Sequence, residues 1–131
     1  MSRHTQLFLV TALVYLGLGL ALQAVTLFDV WLGFNPLAYT SVGSTIQTLL
    51  IGWLTQSLMA LIYEWLGKPL RLMLVVWLCL NVGLPLTIIG QPALALTGND
   101  IVGGLVATGG LLQLAGGILF ACEAARAARA S

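Results

Sequence analysis

Residues 6–28 read QLFLVTALVYLGLGLALQAVTLF, an uncharged and almost wholly apolar run from Gln6 to Phe28. Crossing the hydrocarbon core of a bilayer takes about 20 such residues, so the run is long enough to span it. It also exceeds the apolar core of a cleaved signal peptide, about 7–15 residues, and it lacks a small-x-small cleavage site. A retained helix is expected. Three more apolar runs follow, at about residues 42–66, 69–90 and 101–124. Backbone polar groups in lipid must be satisfied within the protein, which a single segment achieves as a helix. The expectation is an all-α polytopic membrane protein: one transmembrane domain over residues 1–131, built as a four-transmembrane-helix up-down bundle.

Composition leads to the same class. The chain is 60% hydrophobic and 7% charged, with mean hydropathy +1.03. A soluble domain carries about 25% charged residues, so most of this surface must face lipid. A net charge of +1 leaves no basic stripe for nucleic acid.

The basic residues set an expected orientation. Arg3, Lys68, Arg71, Arg126 and Arg129 occupy the N-terminus, the second connection and the tail. The other two connections hold Asp29 and Asp100 and neither Lys nor Arg. The positive-inside rule then places both termini in the cytoplasm, N-in and C-in, across a bacterial-type inner (plasma) membrane. In the first outer connection, from Asp29 to Ser41, Trp31, Phe34 and Tyr39 surround Asn35-Pro36 and suit the headgroup level. Gly67-Lys68-Pro69 reads as a tight turn, with Gly ending one helix and Pro starting the next. Gln91 to Asp100, with Pro92, Gly98 and Asn99, reads as a loop. The tail through Arg126 and Arg129 extends helix 4, placing cations near its negative end.

Three patterns bear on packing. In helix 4, Gly109, Gln113, Gly117, Ala121 and Ala125 fall on one four-residue row, widened by Gly103, Gly110 and Gly116. Small residues let helix backbones approach closely in lipid. The row is expected to pack within the bundle or to dock a neighbouring protein. In helix 2, Ser44, Thr45, Thr48, Gly52, Thr55, Gln56 and Met59 share about a third of the helical wheel, a polar stripe that should point inward or toward a partner. In helix 3, Pro85 cannot donate to the carbonyl of Asn81, so a kink is expected there, with the Asn81 amide free to reach a neighbouring helix.

Little in the sequence carries chemistry. His4 has no second histidine, and no His, Cys and carboxylate spacing suits zinc. Cys79 and Cys122 lie at different depths, and a disulfide needs Cα atoms within about 7 Å, so both are expected as free thiols. Glu64 and Lys68 stand four residues apart in the order that favours a helical ion pair. No carboxylate lies mid-span, where a proton-coupled transporter usually keeps one. No nucleophile has a base beside it, and no glycine-rich loop cradles phosphate. The chain is expected not to be an enzyme and to hold no metal or other cofactor.

The stretch Gln47-Thr48-Leu49-Leu50-Ile51-Gly52-Trp53-Leu54-Thr55-Gln56, with Tyr63 and Trp65 beyond it, resembles helix 2 of small four-helix membrane proteins related to the haem-copper oxidase catalytic subunit. Trp77 to Pro85, with Asn81 and Gly83, resembles that family's third helix, and helix 4, ending in Phe120 and then arginines, fits loosely. The family places a His-x-His pair where this chain holds Thr45 and Gln47, and neither of these ligates haem iron. The resemblance therefore implies a member without the metal-binding role, and no functional residue carries over. The expected function is a non-catalytic accessory subunit of a larger respiratory or photosynthetic electron-transfer complex. Its expected partners are the lipid bilayer and other integral membrane subunits, or copies of itself. A small oligomeric channel or transporter, and a quinone- or pigment-contacting protein using Trp53, Trp77 and Gln56, are the alternatives.

Overall fold

The computed structural model describes residues 1–33, 42–68 and 70–130. Four helices account for nearly all of them: α1 (Arg3–Leu32), α2 (Val42–Leu66), α3 (Met73–Thr97) and α4 (Asp100–Arg129). Each is long and apolar enough to cross a membrane. Phe34, Asn35-Pro36 and Tyr39 of the first connection, and Pro69 of the second, lie outside the described residues.

The ends are set by local chemistry. Ser2 Oγ accepts from the Thr5 N–H at 3.1 Å and caps α1. Asn99 Oδ1 accepts from the Ile101 N–H at 2.9 Å and caps α4. Gly33, Gly67 and Gly98 end the first three helices at φ near +60°, the left-handed conformation that glycine adopts without cost. Trp31 and Trp65, near opposite ends of the bundle, are 77% and 83% exposed, where amphipathic rings meet the headgroups.

Several boundaries differ from the sequence expectation. α1 continues past Phe28 to Leu32, so Asp29 belongs to the helix and is buried, not loop. α3 starts at Met73, four residues later than expected. Most clearly, the expected loop from Gln91 to Asp100 is helix as far as Thr97, leaving a turn at Gly98 and Asn99. Pro92 does not stop α3. A proline removes the hydrogen bond to the carbonyl four residues back, here that of Ile88. The hydroxyl of Ser44 on α2 donates to that carbonyl at 2.7 Å. Proline is tolerated inside membrane helices when a neighbour satisfies the freed group in this way.

A second departure lies inside α2. Residues Thr48–Thr55 wind more widely than an α-helix, with bonds reaching five residues back. The Thr55 hydroxyl follows the same reach and donates to the Leu50 carbonyl at 2.7 Å. In an α-helix each four-residue step turns the face by about 40°. The wider winding takes up that drift, so Thr48, Gly52 and Gln56 all stay buried on one side.

Close backbone approach holds the helices in pairs. A Cβ on Gly52 would stand 2.5 Å from Tyr15 Cγ, and one on Gly19 2.5 Å from Leu49 Cδ2, so α1 and α2 cross there with no room to spare. Between α3 and α4 the contact is backbone to backbone: a Cβ on Gly83 would lie 2.6 Å from the Gly109 carbonyl oxygen, and one on Gly109 2.8 Å from that of Gly83. All four helices share one core toward the basic end, with Phe8 of α1, Met59 and Tyr63 of α2, Met73 and Val76 of α3, and Phe120 of α4.

Adding a methyl at Gly109 should force the α3–α4 backbones apart. Gly109→Ala is expected to destabilise the bundle by about 1–3 kcal/mol, the usual cost of overpacking. Gly110→Ala, which meets open space, should be neutral or slightly stabilising. Comparing the two by denaturation in mixed detergent micelles checks this, and equal losses would refute the crossing.

Candidate functional site: a buried polar ladder

The polar side chains of α2 are grouped by the wide turn and by what they face. Gln56, fully buried, forms a reciprocal amide pair with Asn81 of α3: each Nδ2 or Nε2 donates to the other's oxygen at 3.3 Å. Asn81 Nδ2 also donates to the Trp77 carbonyl at 2.8 Å. The Trp77 indole N–H donates to Thr11 Oγ1 of α1 at 2.9 Å, and that hydroxyl donates to the Leu7 carbonyl. One chain of hydrogen bonds thus ties α1, α3 and α2 together. A shorter one ties α3 to α4: Gln113 Nε2 donates to Thr87 Oγ1 at 2.9 Å, and Thr87 donates to the Leu84 carbonyl at 2.9 Å. Toward the acidic end, Thr48 donates to the Ser44 carbonyl at 2.6 Å, and Ser44 to Ile88.

Of the polar stripe expected from sequence, Ser44, Thr48 and Gln56 are buried, while Thr55 stands at the edge. The kink residues divide likewise: Asn81 joins the ladder by its side chain, and Pro85 is exposed. The helix 4 row does not act as one face. Gly109 and Gln113 meet α3, Gly117 has nothing within 4 Å of where its Cβ would be, and Ala121 and Ala125 are exposed. The buried seam of α4 runs through Gly109, Gly116 and Phe120 instead. Its spacing of seven then four is that of the shallow left-handed crossing common in membrane bundles, and a Cβ on Gly116 would meet Cys79 and Leu80 of α3 at 3.2–3.3 Å.

Turning Gly117 away from the seam leaves a groove of about 380 Å³ between α2 and α4, lined among others by Thr55, Met59, Gly110, Gln113, Gly117 and Ile118. A second cleft, about 220 Å³, lies toward the acidic end between α1 and α2, where Gln23 and Thr26 face Thr45. The sequence reading passed over Gln23 and Thr26; a second polar pair one turn apart on α1 was the available signal. Gln47 keeps its Oε1 buried without a hydrogen-bond partner. At the basic end, Glu64 accepts from Thr5 Oγ1 at 2.7 Å and lies 3.8 Å from the N-terminal ammonium, while Lys68 Nζ donates to the Ala127 carbonyl at 3.5 Å. Glu64 thus fastens the N-terminus of α1 to the end of α2. His4 packs edge-on against Tyr63, with ring centroids 6.1 Å apart. Cys79 and Cys122 are free thiols.

Among the described residues, no three His, Cys, Asp or Glu side chains come together as a metal site. Comparison of the chain with protein-family models, curated proteins and solved structures found no match.

The Gln56–Asn81 pair should show itself as a coupling. Interhelical hydrogen bonds in lipid average about 0.6 kcal/mol and reach about 1.7. A double-mutant cycle with Gln56→Ala and Asn81→Ala in bilayer-like micelles is expected to give a coupling in that range. A coupling of zero would show the two amides acting independently.

Proposed function

We propose that this chain is a non-catalytic accessory subunit of a larger membrane assembly, inserted with both termini in the cytoplasm. The observation that carries the reading is the division of the α4 glycines. Gly109 and Gly116 are consumed by the crossing with α3, whereas Gly104, Gly110 and Gly117 have nothing within 4 Å of a Cβ position. Glycine costs about 1 kcal/mol relative to alanine in a helix interior, and in lipid its compensation is close approach by another backbone. Gly110, Gly117, Ala121 and Ala125 share one outward face, turned away from the seam at roughly 100° per residue. That face suits a helix of a neighbouring subunit.

The electron-transfer setting rests on the resemblance of α2 and α3 to oxidase-related membrane proteins, and a bacterial-type plasma membrane is the location proposed with it. Thr45 and Gln47, in place of the histidine pair, suit a supporting rather than a redox role. The channel or transporter alternative is weaker, because Ser44, Thr48 and Gln56 spend their hydrogen bonds inside the bundle.

Gentle solubilisation from the native membrane, followed by mass spectrometry, tests the proposal. Stoichiometric co-purification with integral redox subunits is expected. Gly117→Leu should release the partner while leaving the chain folded, since its side chain meets open space. A lone chain in the native extract, or a Gly117→Leu variant still fully in complex, would refute the reading.

A further inference from the structure

Gln23 is a polar side chain inside a span without a partner. It stands eight residues before Trp31, about 12 Å below that ring at 1.5 Å per residue, so its amide lies in the hydrocarbon. It is exposed and makes no hydrogen bond with any described residue, although it borders the cleft between α1 and α2. A lipid tail offers an amide nothing, and Gln in a transmembrane helix finds its hydrogen bond on another helix.

The residues around it are the second observation. Leu13, Leu16, Leu20, Gln23, Leu27 and Val30 recur along α1 at alternating steps of three and four. That is the 3.5-residue repeat of a helix–helix seam, with Gln23 as its polar position. At 100° per residue the six fall within about 100° of the helical wheel. Leu13, Leu20, Leu27 and Val30 are 54–62% exposed, so no other described helix covers the stripe. α1 therefore carries two seams. Phe8, Ala12, Tyr15 and Gly19 are buried against the bundle, and the leucine stripe turns to lipid.

The chemistry of the amide says what covers the stripe. A primary amide both donates and accepts, so two amides complement each other, as Gln56 and Asn81 do inside the bundle. In a two-fold pair each residue near the axis meets its own copy. Two chains inserted in the same direction have that axis along the membrane normal. Both Gln23 amides then lie at one depth, with no adjustment of register. A single polar position in an apolar seam fixes both register and the number of strands.

We propose that this chain forms a parallel homodimer through α1, packed along the leucine stripe and held in register by a reciprocal hydrogen-bonded pair of Gln23 amides. The surface is separate from the α4 face on which the accessory-subunit reading rests, so either can fail alone.

The test uses the full chain, labelled at its C-terminus with donor or acceptor dye, mixed in liposomes and followed by energy transfer as lipid is added. Transfer that rises linearly with acceptor fraction, the mark of two copies, and falls on lipid dilution is expected. Gln23→Leu removes the amide and keeps the seam apolar, and it should raise the apparent dissociation constant about three- to tenfold, within the range of interhelical hydrogen bonds in lipid. Leu20→Ala should also weaken the pair. Val25→Ala alters the opposite face of α1, where Val25 is 56% exposed, and should leave association unchanged. Circular dichroism should show the same helix content in all three variants. Transfer no greater than random proximity gives, a Gln23→Leu variant that pairs as tightly as the parent, or an equal loss in Val25→Ala would overturn the proposal. A curved dependence on acceptor fraction would overturn it in favour of a larger oligomer.

Discussion

A buried backbone carbonyl in hydrocarbon has no water to turn to, and the bundle is arranged around that constraint. It is sharpest at Ile88, whose intrahelical partner is removed by Pro92. The Ser44 hydroxyl supplies the missing donor from α2, and α3 can therefore continue to Thr97. Ser44 is held inward at this point by the packing of α2 on α3, and its own carbonyl accepts from Thr48 at the start of the wide turn. The length of α3, the shortness of its turn into α4 and the inward face of α2 thus depend on one hydrogen bond between helices.

Two kinds of contact then share the work of association. Apolar side chains gain little from leaving lipid for one another, so dispersion and polar contacts must bring the helices together. Glycine supplies the first kind: Gly83 against Gly109, and Gly52 against Tyr15, put atoms in contact that any side chain would separate. The second kind is the ladder through Thr11, Trp77, Asn81 and Gln56. Each bond is worth little alone, but each is satisfied in only one register. The ladder therefore specifies how the helices align, while the glycine crossings supply closeness.

The shared core toward the basic end explains why the rest of the bundle opens. Phe8, Met59, Met73 and Phe120 fill the space among all four helices there. Along α4 beyond that core, the seam turns toward α3 and leaves Gly110 and Gly117 beside a groove facing α2. With open space beside these glycines, that face is the one the accessory-subunit proposal rests on.

Four helices, their number and their approximate places were legible in the sequence, because uncharged apolar runs of this length leave the backbone no other way to satisfy itself in lipid. The inward polar stripe of α2 was legible too, since Ser44, Thr48 and Gln56 have nowhere else to hide. The fate of Pro92 was not: whether a proline ends a helix depends on a donor arriving from another helix, and Ser44 lies 44 positions away in the chain. Nor was the wide turn at Thr48–Thr55, which no local residue demands. The split of the α4 glycines into a consumed set and an open set was likewise invisible, because spacing along one helix names every small residue equally. Hydropathy is a property of each segment against its solvent, and so the sequence by itself determined what crosses the membrane. Register, kinks and which glycine meets which carbonyl are properties of pairs of segments, and only the tertiary structure decided those.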